Sequence, residues 1–278
     1  MSHSPIDGGV VLITGASSGI GERIAHEVVF RAKVIVLVAR RKDRLEALAA
    51  TLHHKRPGVE IDVRPCDLSD PQAATKLIKD VESAHGRLDL LVNNAGLGDI
   101  GLFEDADLDK TLLMLNLNIL GLTATTRAAL PGMIERGKGG VLMISSGFGL
   151  TVMPGFAAYV GSKHYVTGFT ESLRAELAGT GVRVTQVCPG PVATEFEQNA
   201  GNPTDMAVPG FIEISAEHCA RVAVRSFDED LAIVTPGFFA SLLVGAGQLG
   251  PRMVQRWMLN FAGKSMRKKL AQQREDAS

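Results

Sequence analysis

Aromatic residues are scarce, at 5% of the 278 positions, with one tryptophan and two tyrosines. Only three cysteines occur, Cys66, Cys188 and Cys219, far apart in the chain. Such spacing excludes a disulfide framework and a cysteine-based metal cluster. The three read as packed thiols in a reducing compartment, and no metal site is expected. A surplus of either charge is also missing, since the net charge is −1. Without a global basic field, nucleic acid is not an expected partner. Residues Met1 to Gly9 hold no basic-then-apolar leader, so a cytoplasmic location is expected. No repeat, low-complexity tract or linker interrupts the chain. The stretch 231–250 lacks charge, but Pro236 and four glycines argue against a membrane span.

Glycine is abundant, at 30 residues, and hydrophobic residues make up 45% of the chain, enough for a substantial core. Short apolar runs read as strands at Val10–Thr14, Val34–Ala39, Val59–Pro65, Leu88–Val92, Val141–Ser145, Val182–Cys188 and Leu231–Thr235. Most are nearly continuous in apolar residues, as strands covered on both faces should be. Helical patterns at 19–30, 43–54, 71–85, 107–136, 157–179 and 216–227 alternate with them. Asp70-Pro71 and Ser215 carry helix-start signals. This alternation predicts an α/β fold: a single-domain, doubly wound parallel sheet of seven strands, Rossmann-like, with helices on both faces. A basic, amphipathic helical extension, residues 251–278, follows the domain of residues 1–250.

The chemistry-bearing residues sit at the predicted strand ends. Thr14-Gly15-Ala16-Ser17-Ser18-Gly19-Ile20-Gly21 follows the first strand and opens the first helix. Glycines there permit a tight turn and the approach of a pyrophosphate to the helix N-terminus. The second strand ends in Ala39-Arg40-Arg41, where a ribose-binding carboxylate would favour NAD. Two guanidiniums favour a 2′-phosphate instead, hence NADP(H) over NAD(H). Asp43 reads as the cap of the next helix. Tyr159 and Lys163 are one helical turn apart, so an ammonium can sit beside a phenol. A fixed positive charge lowers a phenol's pKa and makes it a usable proton donor near neutrality. Ser146, upstream, adds a hydroxyl for a carbonyl oxygen.

Together these motifs resemble those of the short-chain dehydrogenase/reductase (SDR) family. The matching pieces are Thr14–Gly21, Asp67-Leu68, Asn93-Asn94-Ala95-Gly96, Asn118-x-x-Gly121, Ser145-Ser146, Tyr159-x-x-x-Lys163 and Pro189-Gly190-Pro191-Val192-x-Thr194. The resemblance implies a catalytic set of Asn118, Ser146, Tyr159 and Lys163, with Asn118 holding a water behind Lys163. It implies cofactor contacts from Gly15, Ser17, Ser18, Gly19, Ile20 and Gly21, and from Asp67 and Leu68 flanking the adenine. Asn94, Ala95 and Gly96 would shape the pocket, with Pro189, Gly190, Val192 and Thr194 near the nicotinamide. Three departures from the family pattern stand out. Arg31 takes a turn position where relatives have glycine, which is expected to strain the backbone. Gly161 interrupts the catalytic helix, which suggests a close packing contact. Ser18 replaces a basic residue common in NADP-using relatives.

The expected function is a ketone or aldehyde interconverted with an alcohol on a lipophilic substrate. Two alternatives stand beside it: a nucleotide-binding redox sensor without turnover, and a ketoacyl-thioester reductase. Substrate contacts are expected from Phe148, Met153 and Phe156, and from Phe196, Met206 and Phe211 in a substrate loop at 194–215. Glu195, the one charge beside the cofactor site, reads as solvated. Leu108, Leu112, Leu115, Ile119 and Leu122 form a stripe larger than one sheet face needs; the resemblance, to a family whose members dimerise through the corresponding helices, implies a homodimer or homotetramer. In the tail, Met253, Trp257, Leu259, Phe261 and Met266 interleave with seven bases. That tail fits packing on the domain, packing on a partner subunit, or peripheral contact with an anionic membrane.

Overall fold

The computed structural model describes residues 4–196, 200–201, 213–237, 241–242, 245 and 252–276. Six strands, β1 (Val10–Thr14), β2 (Val34–Ala39), β3 (Glu60–Pro65), β4 (Leu90–Asn93), β5 (Gly139–Ile144) and β6 (Val182–Val187), join the late β9 (Ile233–Val234) in one sheet. Their spatial order is β3-β2-β1-β4-β5-β6-β9, with every pairing parallel. A separate two-stranded ribbon pairs β7 (Val192–Ala193) with β8 (Ile214–Ser215). The order reverses between β1 and β4. At such a switch point the connections leave in opposite directions and open a crevice at the strand C-termini.

Alternate residues of each strand feed opposite layers. Val11 and Ile13 of β1 pack with α1 (Gly19–Val28), α2 (Lys42–Lys55) and α7 (Ala216–Asp228). Val10 and Leu12 pack with α3 (Pro71–His85), α5 (Leu122–Glu135) and α6 (Ala157–Glu176). Both layers are apolar, which explains the continuous hydrophobic runs. Asp70 caps α3 by accepting from the Gln72 amide, ahead of Pro71. Ser215 caps α7 by accepting from His218. Asp43 lies in the first turn of α2 and is not its cap, which falls at Arg41.

The long helix expected at 107–136 is broken. It forms α4 (Leu108–Leu115), a π-helical turn over Asn116–Gly121, and then α5. The wide turn points Asn118 inward, where its amide donates to the Leu97 carbonyl at 2.9 Å and to the Ser162 hydroxyl at 3.1 Å. It also seats Gly121 on the Leu68 carbonyl, which would lie 2.0 Å from any added Cβ. Arg31 shows no strain. Among the described residues Asp230 alone has positive φ without being glycine. The Arg31 guanidinium instead ties Asp7 at 2.7 Å to Asp228 at 2.6 Å. The expected packing contact at Gly161 is absent, with nothing within 4 Å of an added Cβ.

The last helix, α8 (Arg252–Asp276), docks on the domain. Met266 is buried, and Arg267 pairs with Glu104. No helix among the described residues is long and apolar enough to cross a membrane.

Candidate active site

The glycine turn closes on the neighbouring strand by local necessity. Thr14 donates its hydroxyl to the Val92 carbonyl at 3.0 Å and accepts from the amides of Asn94 and Ala95. The Asn94 side chain donates to the carbonyls of Thr14 and Gly15. An added Cβ on Gly21 would lie 2.4 Å from that Asn94 amide, so the position excludes a side chain. Gly19 sits at φ +60° with Thr194 against it, 3.2 Å from where a Cβ would stand. Ile20 packs on the core below. The turn therefore presents backbone amides of the α1 N-terminus to the crevice, as a pyrophosphate requires.

The two arginines behave differently. Arg41 donates to the Ser17 hydroxyl at 3.1 Å, to the Ser18 hydroxyl at 2.9 Å and to Glu195 at 3.1 Å. Its guanidinium thus reaches the position where a basic residue was missing at Ser18. Arg40 lies close enough to influence Asp67. Burial alone would raise the Asp67 carboxyl, but bonds from the Ser69 amide and hydroxyl, with Arg40 nearby, bring it below its ordinary value. The Asp67 side chain accepts from both the amide and the hydroxyl of Ser69 through Oδ1. Leu68 is buried under the π-helical turn.

Ser146, Tyr159 and Lys163 come together at the β5 end. The Ser146 hydroxyl neighbours the Tyr159 phenol and accepts from the Phe148 amide at 3.2 Å. Ser145 is buried with its hydroxyl unpaired, and it is Ser146 that influences the tyrosine. Lys163 is buried, 5.7 Å from the Tyr159 ring centroid, and donates to the Ile144 carbonyl at 3.3 Å. Gly96 borders it, its Cβ position 3.6 Å from the ammonium. Burial brings Lys163 down to about 8, opposed by the neighbouring Cys188.

The expected acidification of the phenol is not what the cofactor-free site produces. Burial pushes Tyr159 up to about 12, and the Ser146 hydroxyl only partly offsets it. Removing water from a phenolate outweighs an ammonium held over the ring face rather than bonded to the oxygen. Asn118 is likewise committed: its Oδ1 accepts from the Leu97 amide at 2.9 Å. A water behind Lys163 would need the backbone carbonyls of the π-helical turn.

Two phenylalanines flank the tyrosine, and a third backs one of them. Phe196 lies 5.5 Å and Phe148 6.3 Å from it, ring centre to ring centre, and Phe148 meets Phe156 at 4.7 Å. Met153 stands at the rim, 38% exposed. Met206 and Phe211 lie outside the described residues. On the opposite wall, the Pro189 carbonyl accepts from the Gly147 amide at 2.7 Å. Gly190 leads from there into β7, where Val192 packs on the core.

Sequence reasoning missed the pairing of Glu195. The residue is solvent-exposed as expected, its side chain 39% exposed, but it also bridges Arg41 and Arg44. Its position directly after Thr194 was a signal, but its partners are 154 and 151 positions away. The Gln186–Cys188 contact beneath Lys163, at 3.2 Å, was also not foreseen. No group of metal-ligating side chains occurs among the described residues.

Fold and site together define a Rossmann-like dinucleotide-binding protein. The short chain dehydrogenase profile matches residues 9–205, and the chain belongs to that family. Its members act on CH–OH groups with NAD(P). The 11-beta-hydroxysteroid dehydrogenase 1A of Arabidopsis thaliana is 36% identical over 245 residues, covering 84% of this chain and 69% of its own. The NADP-dependent 3-hydroxy acid dehydrogenase of Schizosaccharomyces pombe is 38% identical over 198 residues, 69% of this chain and 75% of its own. A short-chain dehydrogenase from Sphingobium yanoikuyae in complex with NADPH superposes with a TM-score of 0.76 at 31% identity, over 86% of this chain and 93% of that one. The chain spans between 61% and 69% of the length of the first five curated relatives it matches, and 15% of the glycine betaine reductase of Emericella nidulans.

Proposed function

We propose that the protein interconverts a carbonyl and an alcohol with NADP(H). The observation that carries this is the Ser146 hydroxyl placed beside the Tyr159 phenol, with Lys163 buried 5.7 Å from the same ring at the crevice of the glycine turn. The residues present fit the dinucleotide. The turn offers amides, and Arg41 with Ser17 and Ser18 offers donors where a 2′-phosphate would lie. Lys163 has three N–H groups and one bonded carbonyl among the described residues, leaving donors for ribose hydroxyls. When bound, the nicotinamide supplies or accepts the hydride.

The chain supplies positioning and a proton. In the reducing direction Ser146 and Tyr159 donate to the carbonyl oxygen, and Tyr159 transfers its proton to that oxygen as negative charge develops there. The raised pKa keeps the buried phenol protonated, and the charge developing on the substrate oxygen draws the proton across. The Ser146, Tyr159 and Lys163 set argues against a sensor without turnover, which needs none of it. The phenylalanine cluster supports a lipophilic ketone or secondary alcohol over a small polar one. The relatives' names carry both a hydroxysteroid and a 3-hydroxy acid, so the cluster is the better guide. A homo-oligomer is supported by Leu108 and Leu112, 66% and 47% exposed on one side of α4. A cytoplasmic setting fits the three free thiols.

The test is NADPH consumption against a panel of carbonyls. We expect turnover of bulky apolar ketones, faster with NADPH than with NADH. Turnover confined to small polar carbonyls would refute the substrate reading, and none at all would refute the enzyme.

A further inference from the structure

The helix α8 has two working sides. One seats on the domain between the catalytic serine and tyrosine. An added Cβ on Gly155 would lie 2.5 Å from the Met266 methyl, and one on Gly263 would lie 3.8 Å from the Pro154 ring. The Arg267–Glu104 pair fixes the same side further along. At 3.6 residues per turn, Leu259, Gly263, Met266 and Leu270 share that side.

The opposite side is apolar and open. Met253, Trp257 and Phe261, spaced by four, are 82%, 70% and 70% exposed. Lys264 and Lys268 continue the same line, both exposed. From Arg252 to Arg274 the sequence carries seven bases and no acid. A helix needs only one apolar side to pack on its own domain, so this second ridge is unexplained by the fold.

We propose that this side of α8 is a docking surface for an anionic lipid bilayer. Long apolar side chains that lead into lysines match the acyl–headgroup boundary, where the apolar turns sink and the ammonium groups meet lipid phosphates. Tryptophan favours that boundary because its ring is apolar and its N–H polar. A second copy of the chain would set like-charged helices against one another. Docking also orients the catalytic crevice. Val152 and Met153, 49% and 38% exposed, immediately precede the Pro154–Gly155 seat of α8. The rim of the phenylalanine cluster would then face the bilayer, from which an apolar substrate could enter. That last step rests on the lipophilic-substrate reading; the docking surface stands on α8 alone.

Trp257 is the single tryptophan, so its fluorescence reads this helix and nothing else. The full chain is titrated with phosphatidylcholine vesicles, with and without phosphatidylserine. With phosphatidylserine present, we expect a blue shift and quenching by brominated acyl chains, both weakened by salt. Lys264→Gln with Lys268→Gln should weaken vesicle affinity roughly 30-fold. Phe261→Glu should abolish the blue shift while circular dichroism shows the fold retained. Emission unchanged by anionic vesicles overturns the proposal. So does a blue shift that appears without lipid as protein concentration rises, because a second copy then covers the ridge. Turnover of a soluble ketone without vesicles is measured in parallel, so a failed enzyme and a failed docking surface are told apart.

Discussion

Glu195 accepts from Arg41 at 3.1 Å, across 154 positions of sequence. The same carboxylate accepts from Arg44 at 2.6 Å. A charge that follows Thr194 is therefore joined to the arginines after β2, which the proposed function sets at the adenosine end of the cofactor. A 2′-phosphate arriving at Arg41 meets a carboxylate already there. Glu195→Gln should remove that competition and tighten NADPH binding roughly 3- to 10-fold, with NADH little changed. Arg41→Ala should weaken NADPH ~10- to 100-fold and spare NADH. Fluorescence titration of both cofactors checks the pair, and equal effects on NADPH and NADH would remove the 2′-phosphate from Arg41.

Tyr159→Phe keeps the phenylalanine contacts and deletes the proton. Turnover should fall ~10²- to 10⁴-fold. Cofactor affinity should stay within a few-fold, as Lys163 and the glycine turn are untouched. Single-turnover kinetics with a separate NADPH titration distinguishes the two effects.

Lys163 carries a stability cost that depends on pH. Its folded value of about 8 lies below the ordinary lysine value of 10.5 because burial disfavours the ammonium. The cost is full below pH ~8 and fades as pH rises towards ~10.4, since only the unfolded chain then gains from holding the proton. Lys163→Met should raise the unfolding free energy of the cofactor-free chain by ~1–3 kcal/mol at neutral pH, the gain shrinking between pH ~8 and ~10. Activity should be lost. Urea melts across that window provide the measurement, and a gain that grows with pH would contradict the assignment.

Gly161 sits on an open part of α6 with no atom within 4 Å of an added Cβ. Gly161→Ala should stabilise the chain by about 1 kcal/mol through helix propensity alone. A loss measured by thermal or urea unfolding would show that the position is covered by something outside the single chain.

Arg31 replaces backbone flexibility with a tether between the N-terminal turn and the end of α7. Hydrogen bonds to both Asp228 and Asp7 hold its guanidinium well above the usual arginine range. Arg31→Ala should cost ~1–2 kcal/mol, discounted for partial exposure. Arg31→Gly should cost more, because the glycine adds unfolded-state entropy without relieving any strain.

Much of the fold was legible because its signals are local. The strands Val10–Thr14 and Val34–Ala39 and the helix Pro71–His85 follow from runs of apolar periodicity with recognisable caps. The break at Asn116–Gly121 was not legible, since it answers to the Leu68 carbonyl and the Leu97 backbone on other elements. Among the site residues, Tyr159 and Lys163 were placed by their spacing of one helical turn, and Ser146 by its distance from the tyrosine in the family pattern. Phe148, Phe156 and Phe196 were assigned by composition, and the coordinates set Phe148 and Phe196 on the Tyr159 ring with Phe156 behind Phe148.

By itself, the order of residues determined which side chains reach the crevice, because periodicity and glycine turns act over a few positions. Tertiary structure decided what those side chains experience there. It raised the Tyr159 phenol, lowered the Lys163 ammonium, and set Glu195 on Arg41. Desolvation and long-range charge depend on what surrounds a group in space, and neighbours in the chain do not encode that.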